Sequence, residues 1–286
     1  MEGISLVKYL VTGAKGQLGT ELGKLLDDED INFWGYDSSD LDITNRDLVF
    51  QKLHELQPDV IFHCAAYTAV DNAEDVGKDA NWRVNVEGTK NVADAAKEID
   101  ATLVYISTDY VFDGTNAGEY GVDSPANPKN EYGKAKLAGE TAVKQALNDY
   151  YIVRTSWVFG EYGKNFVYTM RRLADTHDTL TVVNDQVGRP TWTKTLAKFM
   201  LHLIQADCKF GTYQLANDNT CSWYEFATEI LKATDAKVLP VSSEEYPQKA
   251  YRPRHSIMNL DKAKATGFTI PTWQEALALF LTDLDR

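Results

Sequence analysis

Residues 6–26 read LVKYLVTGAKGQLGTELGKLL, an apolar run, a turn with three glycines, then apolar residues at helical spacing. The run predicts a buried strand over Leu6–Thr12 and the spacing after it a helix over Gly16–Leu26. Gly13, Gly16 and Gly19 form a GxxGxxG turn between the two. Such a turn lets the backbone come close to a pyrophosphate, and the positive end of the following helix favours its charge. A turn needed only for tight helix packing would carry the same glycines, so the residues beyond it decide.

Beyond it the first half repeats the alternation. Short apolar runs predict strands at Asn32–Tyr36, Val60–His63, Leu103–Ser107 and Tyr151–Arg154. Longer helix-period stretches separate them at Asn45–Leu56, Asp79–Lys97 and Lys129–Leu147. This is the pattern of βαβ units feeding a parallel sheet, an α/β, Rossmann-type doubly wound fold. From about Ser156 the pattern turns irregular, with aromatic and glycine-rich loops and further helical stretches near Lys194–Gln205 and Ser222–Thr234. Residues 1–155 are therefore expected to form the dinucleotide-binding domain, and residues 156–286 mainly a smaller substrate lobe, with later segments returning to the sheet. Residues 240–255 read as a loop, because DKAKATGF and TWQEALALFLTDL after them resume helical periodicity.

Composition narrows the function classes. A formal charge of -13 and a pI near 4.8 oppose a general affinity for nucleic acid or an anionic membrane, both of which need a basic field. Cys64, Cys208 and Cys221 are dispersed and fit no metal-ligand spacing, so they read as reduced thiols and no metal site is expected. With neither a signal-peptide pattern nor an apolar run of about 20 residues, the chain is expected in the cytoplasm.

Four further places in the sequence suggest chemistry. Asp37 closes the second strand 18 residues after Gly19, near the roughly 20-residue offset of an acid that binds an adenosine ribose; a strand-end turn residue is the plain alternative. Cys64-Ala65-Ala66-Tyr67 ends the third strand in small residues over which a dinucleotide could lie. STDYVFDG, residues 107–114, ends the fourth strand in hydroxyls and an acid, and EYGKAK, residues 131–136, opens the next helix. Tyr132 and Lys136 stand at i and i+4, on one helix face. A nearby ammonium lowers the pKa of a phenol, which gives the pair a chemical reason to be adjacent. Thr108 sits at the C-terminal end of a parallel strand, where ligands bind in such sheets.

The order GAKGQLG, STDYVFDG and YGKAK resembles the extended short-chain dehydrogenase/reductases. Together with CAAYTAVDNAE, YGKAKLAGE, RTSWVFG, KNF and NDQVGRPT, it resembles the dTDP-4-dehydrorhamnose reductase family over nearly the whole chain. The resemblance implies a catalytic triad of Thr108, Tyr132 and Lys136. It implies contacts to NADPH or NADH from Gly13, Gly16, Gln17, Leu18, Asp37, Asp42, Ile43, Ala65, Ala66, Tyr67, Tyr132 and Lys136. It places Thr68, Thr108, Asp109 and Trp157 against a dTDP-sugar, with Asn165 and Arg189 as candidates for its diphosphate beside Lys164, Arg252 and Arg254. Some family members are dimers bridged by magnesium through C-terminal acids. The tail LTDLDR does not match that motif, and a monomer or homodimer without metal is expected.

The implied activity is NAD(P)H-dependent reduction of a C4 ketone to give dTDP-L-rhamnose, a cell-envelope sugar precursor. Alternatives are another nucleotide-sugar reductase or epimerase, and a non-catalytic regulatory subunit of a methionine adenosyltransferase. On the cofactor the residues pull two ways. The charge of Asp37 argues for NADH, whereas Ser38, Ser39 and Lys15 offer a 2′-phosphate hydrogen bonds and a positive charge.

Overall fold

The computed structural model describes residues 7–284; Leu6, at the start of the first expected strand, and Asp285 and Arg286, at the end of the tail, lie outside them. β1 (Tyr9–Thr12) enters the glycine turn and α1 (Gln17–Asp28) leaves it. β2 (Phe33–Tyr36), α2 (Arg46–Leu56) and β3 (Val60–His63) follow. The next predicted helix is α3 (Lys78–Trp82) running through a π-helical stretch, Arg83–Gly88, into α4 (Thr89–Glu98). β4 (Thr102–Thr108), α5 (Glu131–Ala146) and β5 (Tyr150–Thr155) complete the first half. Asn45 and Asn130 cap α2 and α5, their side chains accepting from Leu48 N and Gly133 N, which fixes where each helix starts.

The remainder contains β6 (Val158–Phe159), α6 (Phe166–Ala174), β7 (Thr179–Val183), β8 (Val187–Gly188) and β9 (Thr191–Trp192). Then come α7 (Thr193–Gln205), β10 (Gly211–Gln214), β11 (Cys221–Ser222), α8 (Trp223–Ile230), β12 (Lys237–Val241), α9 (Asp261–Lys264) and α10 (Trp273–Leu284). Among the described residues no helix is long and apolar enough to cross a membrane.

The main sheet has six parallel strands in the order β10-β5-β4-β3-β1-β2. Both of its faces are covered, as a parallel sheet requires. Alternate residues serve opposite layers: Tyr9, Val11, Val60, Phe62, Val104, Tyr151 and Val153 pack under α1 and α7. Leu10, Ile61, Leu103, Tyr105 and Ile152 join α2, α4 and α5 on the other side. β10 and α7 thus belong to the sheet and its helical layer although they lie beyond residue 155.

A separate core gathers Phe159, Met170, Leu180, Phe226, Trp273 and Phe280 from β6, α6, α8, α10 and the parallel pair β7/β12. The strand order reverses between β1 and β3, the position at which open α/β sheets leave a crevice at their carboxyl ends. The glycine turn and the Cys64–Tyr67 segment both stand there.

Candidate active site

A cleft of about 760 Å³ opens at that crevice. Gly16–Gly19 form one wall, the ends of β3 and β4 the floor, and Tyr132 and Lys136 project from α5. Trp157, Gly163, Lys164, Phe166 and Trp223 close it from the second core.

The turn is built for close approach. Gly13 has φ of +68°, and a Cβ there would lie 2.6 Å from Ala65 N; a Cβ at Gly19 would lie 2.2 Å from Gly13 O. No side chain caps α1, unlike α2, α5, α6 and α8. Its first N–H groups therefore face the cleft with their positive end uncompensated, which suits a pyrophosphate. On these two observations the residues fit a dinucleotide.

Thr108, at the last position of β4, is 6% exposed; its Oγ1 accepts from Tyr110 N at 3.2 Å and donates to Asp109 Oδ1 at 3.2 Å. Tyr132 packs edge-on against Tyr110, ring centroids 5.9 Å apart. Burial, followed by the Asp109 carboxylate, pushes the Tyr132 phenol well above its ordinary pKa, and the hydrogen bond with Thr108 draws it back only in part. This differs from the expected lowering by Lys136. In the i, i+4 arrangement Lys136 lies a turn deeper, its Nζ 4.1 Å from the centre of the Tyr105 ring, and burial outweighs any effect on the phenol. The phenol is consequently protonated at neutral pH, the state that can donate.

Lys136 is 2% exposed, and burial lowers its ammonium to about 7 against the pull of Glu140. An amine that ionises near 7 when folded and near 10.5 when unfolded binds its proton more readily in the unfolded chain. Its penalty is absent above the unfolded value, grows as pH falls and is complete below about 7. Lys136→Met is thus expected to raise the Tm of the protein without dinucleotide by about 2–4 °C per kcal/mol relieved. The gain should be larger at about pH 6 than at about pH 10. Calorimetric melting at both values checks it; equal or lowered Tm at the acidic value would contradict the buried-ammonium account.

Asp109 is 2% exposed and its Oδ2 has no partner among the described residues. Burial raises its carboxyl to about 6, with Ser256 and Thr108 pulling it down. An unpartnered buried acceptor on the cleft wall is a place for a ligand hydroxyl. Trp157 has φ of +48°, uncommon and strained for a bulky residue. Its indole stacks on Trp223 at 3.7 Å and 14°, and Gly188 leaves the room it needs.

The other expected residues divide. Gly16, Gln17, Leu18, Ala66, Thr68, Asp109 and Trp157 line the cleft with the triad. Gly13 and Ala65 support it from behind, and Tyr67 is held by Asn85, whose amide accepts from Tyr67 N and donates to Tyr67 O. Asp42 closes a turn on Thr44, and Ile43 is buried beneath it. Asp37, at the end of β2, pairs with Lys15.

Of the five diphosphate candidates, four do not line the cleft. Arg189 is 7% exposed and committed to Asp218 and Glu119 at 2.9 and 2.7 Å. Asn165 caps α6 and donates to Gly160 O. Of the remaining three, Lys164 lines the cleft, Arg252 pairs with Asp71 above the Tyr110 ring, and Arg254 is exposed. Sequence reasoning missed His63, which sits in the cleft floor between the hydroxyls of Thr12 and Thr89. Trp223, the first residue of α8, both packs in the second core and faces the cleft.

Comparison with known proteins accords with this geometry. Residues 7–286 match the family model described as the RmlD substrate binding domain. The dTDP-4-dehydrorhamnose reductase of Aggregatibacter actinomycetemcomitans is 39% identical, the match covering 95% of this chain and 97% of that one. A crystal structure of dTDP-4-dehydrorhamnose reductase from Bacillus anthracis str. Ames in complex with NADP is 43% identical, with a TM-score of 0.93 over 97% of this chain and 99% of that one. A dTDP-4-dehydrorhamnose reductase from Clostridium acetobutylicum is 42% identical, with a TM-score of 0.95 over 98% and 100% of the two chains.

Proposed function

Because the chain belongs to the RmlD substrate binding domain family, we propose that it reduces the C4 ketone of dTDP-4-dehydro-L-rhamnose to dTDP-L-rhamnose. The observation that carries this is the convergence of Thr108, Tyr132 and Lys136 with the uncapped start of α1 on one cleft. NADPH or NADH supplies the hydride. Gly16, Gln17 and Leu18 hold the pyrophosphate on backbone N–H groups, and Ala66 leaves room beside it. Lys136 holds the nicotinamide ribose. Thr108 donates to the substrate ketone oxygen, and Tyr132 delivers the proton as that oxygen gains charge. Asp109 accepts from a sugar hydroxyl, and Lys164 is the candidate for the diphosphate. The reading includes a cytoplasmic location and a dTDP-sugar as the partner.

The test is loss of the reduced-nicotinamide absorbance with a panel of 4-keto nucleotide sugars. Turnover restricted to the dTDP 4-keto-6-deoxy-L-sugar is expected. Conversion without net consumption of added cofactor would indicate an epimerase, and no turnover with any sugar would indicate a binding subunit.

The stacked indoles should select the sugar. With Trp157 on the substrate side of the cleft, Trp157→Ala is expected to raise KM about 10-fold, the scale of one lost aromatic contact. Dinucleotide affinity should change less than about 2-fold. Unchanged KM with a lowered Tm would assign Trp157 to packing alone.

A further inference from the structure

We infer that His63 is a positioning residue for Lys136: held as one tautomer beneath the cleft, it fixes the tyrosine ring on which the Lys136 ammonium rests. The inference rests on the reductase reading above. His63 ends β3 and is 1% exposed; its Nδ1 lies 2.7 Å from Thr12 Oγ1 and its Nε2 3.2 Å from Thr89 Oγ1. Thr12, Thr89 and Tyr105 are buried with it, so each hydroxyl proton has to find its acceptor among these groups.

Both ends of this network dictate the same tautomer. At one end Thr12 Oγ1 accepts from Ala65 N at 3.4 Å. That leaves its one proton for His63, so Nδ1 accepts. At the other end the Tyr105 hydroxyl donates to Lys136 O at 3.4 Å, and its oxygen accepts from the Thr89 hydroxyl, a bond that draws the phenol's pKa down against burial. With its single proton spent there, Thr89 can meet the imidazole only as an acceptor, so Nε2 carries the hydrogen. Burial, followed by the Lys136 ammonium, lowers the imidazole to about 3, which keeps Nδ1 bare at neutral pH.

The chain reaches the lysine twice through one side chain. The Tyr105 hydroxyl meets the Lys136 carbonyl, and the Tyr105 ring lies under the ammonium, 4.1 Å from its centre to Nζ. The His63 ring packs against that same ring at 5.6 Å and 26°. Gly139 admits the tyrosine to α5, since a Cβ there would lie 2.4 Å from Tyr105 Oη. An ammonium drawn to a ring face is placed only as accurately as the ring. His63 therefore acts on the ribose contact of Lys136 through Tyr105.

Nitrogen NMR of the full chain without dinucleotide reads the tautomer. His63 is expected to show a bare Nδ1 and a protonated Nε2 from about pH 5 to about pH 9; the reverse tautomer, or a titration within that range, would overturn the inference. Single-turnover oxidation of the reduced dinucleotide by the dTDP 4-keto sugar reads the placement. His63→Leu is expected to slow it about 10- to 30-fold and to change 5′-ADP affinity less than about 2-fold. His63→Gln, whose amide can accept and donate at the same places, should recover most of the rate. Thr89→Val breaks the chain one link further on with the side-chain shape kept; it should cost a similar factor, and His63→Leu added to it less than about 2-fold more. A Thr89→Val variant at the parental rate, multiplying losses in the double variant, or a His63→Gln variant as slow as His63→Leu would each overturn the positioning role. A parent that binds 5′-ADP but turns over no sugar would overturn the reductase reading, and this inference with it.

Discussion

Tyr132→Phe is expected to lower kcat by about 10²–10⁴-fold, the range for removing a positioned acid, while Tm and dinucleotide affinity stay close to those of the parent. The ring survives the change, so its edge-on contact with Tyr110 survives too. What disappears is one hydroxyl that burial and Asp109 keep protonated. Thr108 alone cannot replace it, because an aliphatic hydroxyl holds its proton far more tightly than a phenol and can donate a hydrogen bond to the ketone oxygen without delivering the proton. Single-turnover measurement of the nicotinamide signal separates chemistry from product release. A Phe variant within about 3-fold of the parent rate would remove Tyr132 from proton delivery.

The largest expected loss of stability comes from Arg154→Met. The Arg154 guanidinium donates to both oxygens of Glu140, each at 2.8 Å, and the Ser107 hydroxyl adds a bond at 2.6 Å. The Glu140 side chain is 0% exposed and that of Arg154 4%. Burial pushes the Glu140 carboxyl up, but the bonds and charge of Arg154 outweigh it, so the acid remains ionised. Removing the arginine strands a buried charge, a change that costs about 3–5 kcal/mol. The pair ties α5, which carries Tyr132 and Lys136, to β4 and β5 beneath Thr108, so turnover should fall with stability. Adding Glu140→Leu should recover most of the loss, because a buried ion pair replaced whole by apolar groups is close to neutral. Urea unfolding of the single and double variants measures both. A cost below about 1 kcal/mol for the single variant would show the pair to be solvated.

The first half of the fold was legible because it is written locally. Each strand of the parallel sheet is a short apolar run, and each helix repeats at 3.6 residues, so Val60–His63 and Arg46–Leu56 were read nearly to their ends. The cleft residues in GAKGQLG, STDYVFDG and YGKAK were legible for the same reason, since their spacing carries their function. Arg189 was not, because its partners Glu119 and Asp218 are distant in sequence and nothing near a lone arginine announces them. The Glu140–Arg154 pair and the Trp157–Trp223 stack escaped likewise. The pKa of Tyr132 was misjudged because spacing shows that Lys136 shares its face, but not how deeply both are buried.

The strand β10 sets an order of events during synthesis. β5 is the outermost strand of the sheet until Gly211–Gln214 pair with Tyr151–Arg154, and those residues leave the ribosome only after the whole segment carrying β6 to β9 and α7. Throughout that interval the nascent chain has an unpaired row of N–H and C=O groups on Tyr150–Thr155, an edge that invites pairing with another strand. A parallel partner cannot be supplied by a short hairpin. The cell therefore handles this chain with an open sheet edge for longer than it would a hairpin-built sheet of equal size, and the rate of elongation across residues 156–214 governs how long that exposure lasts.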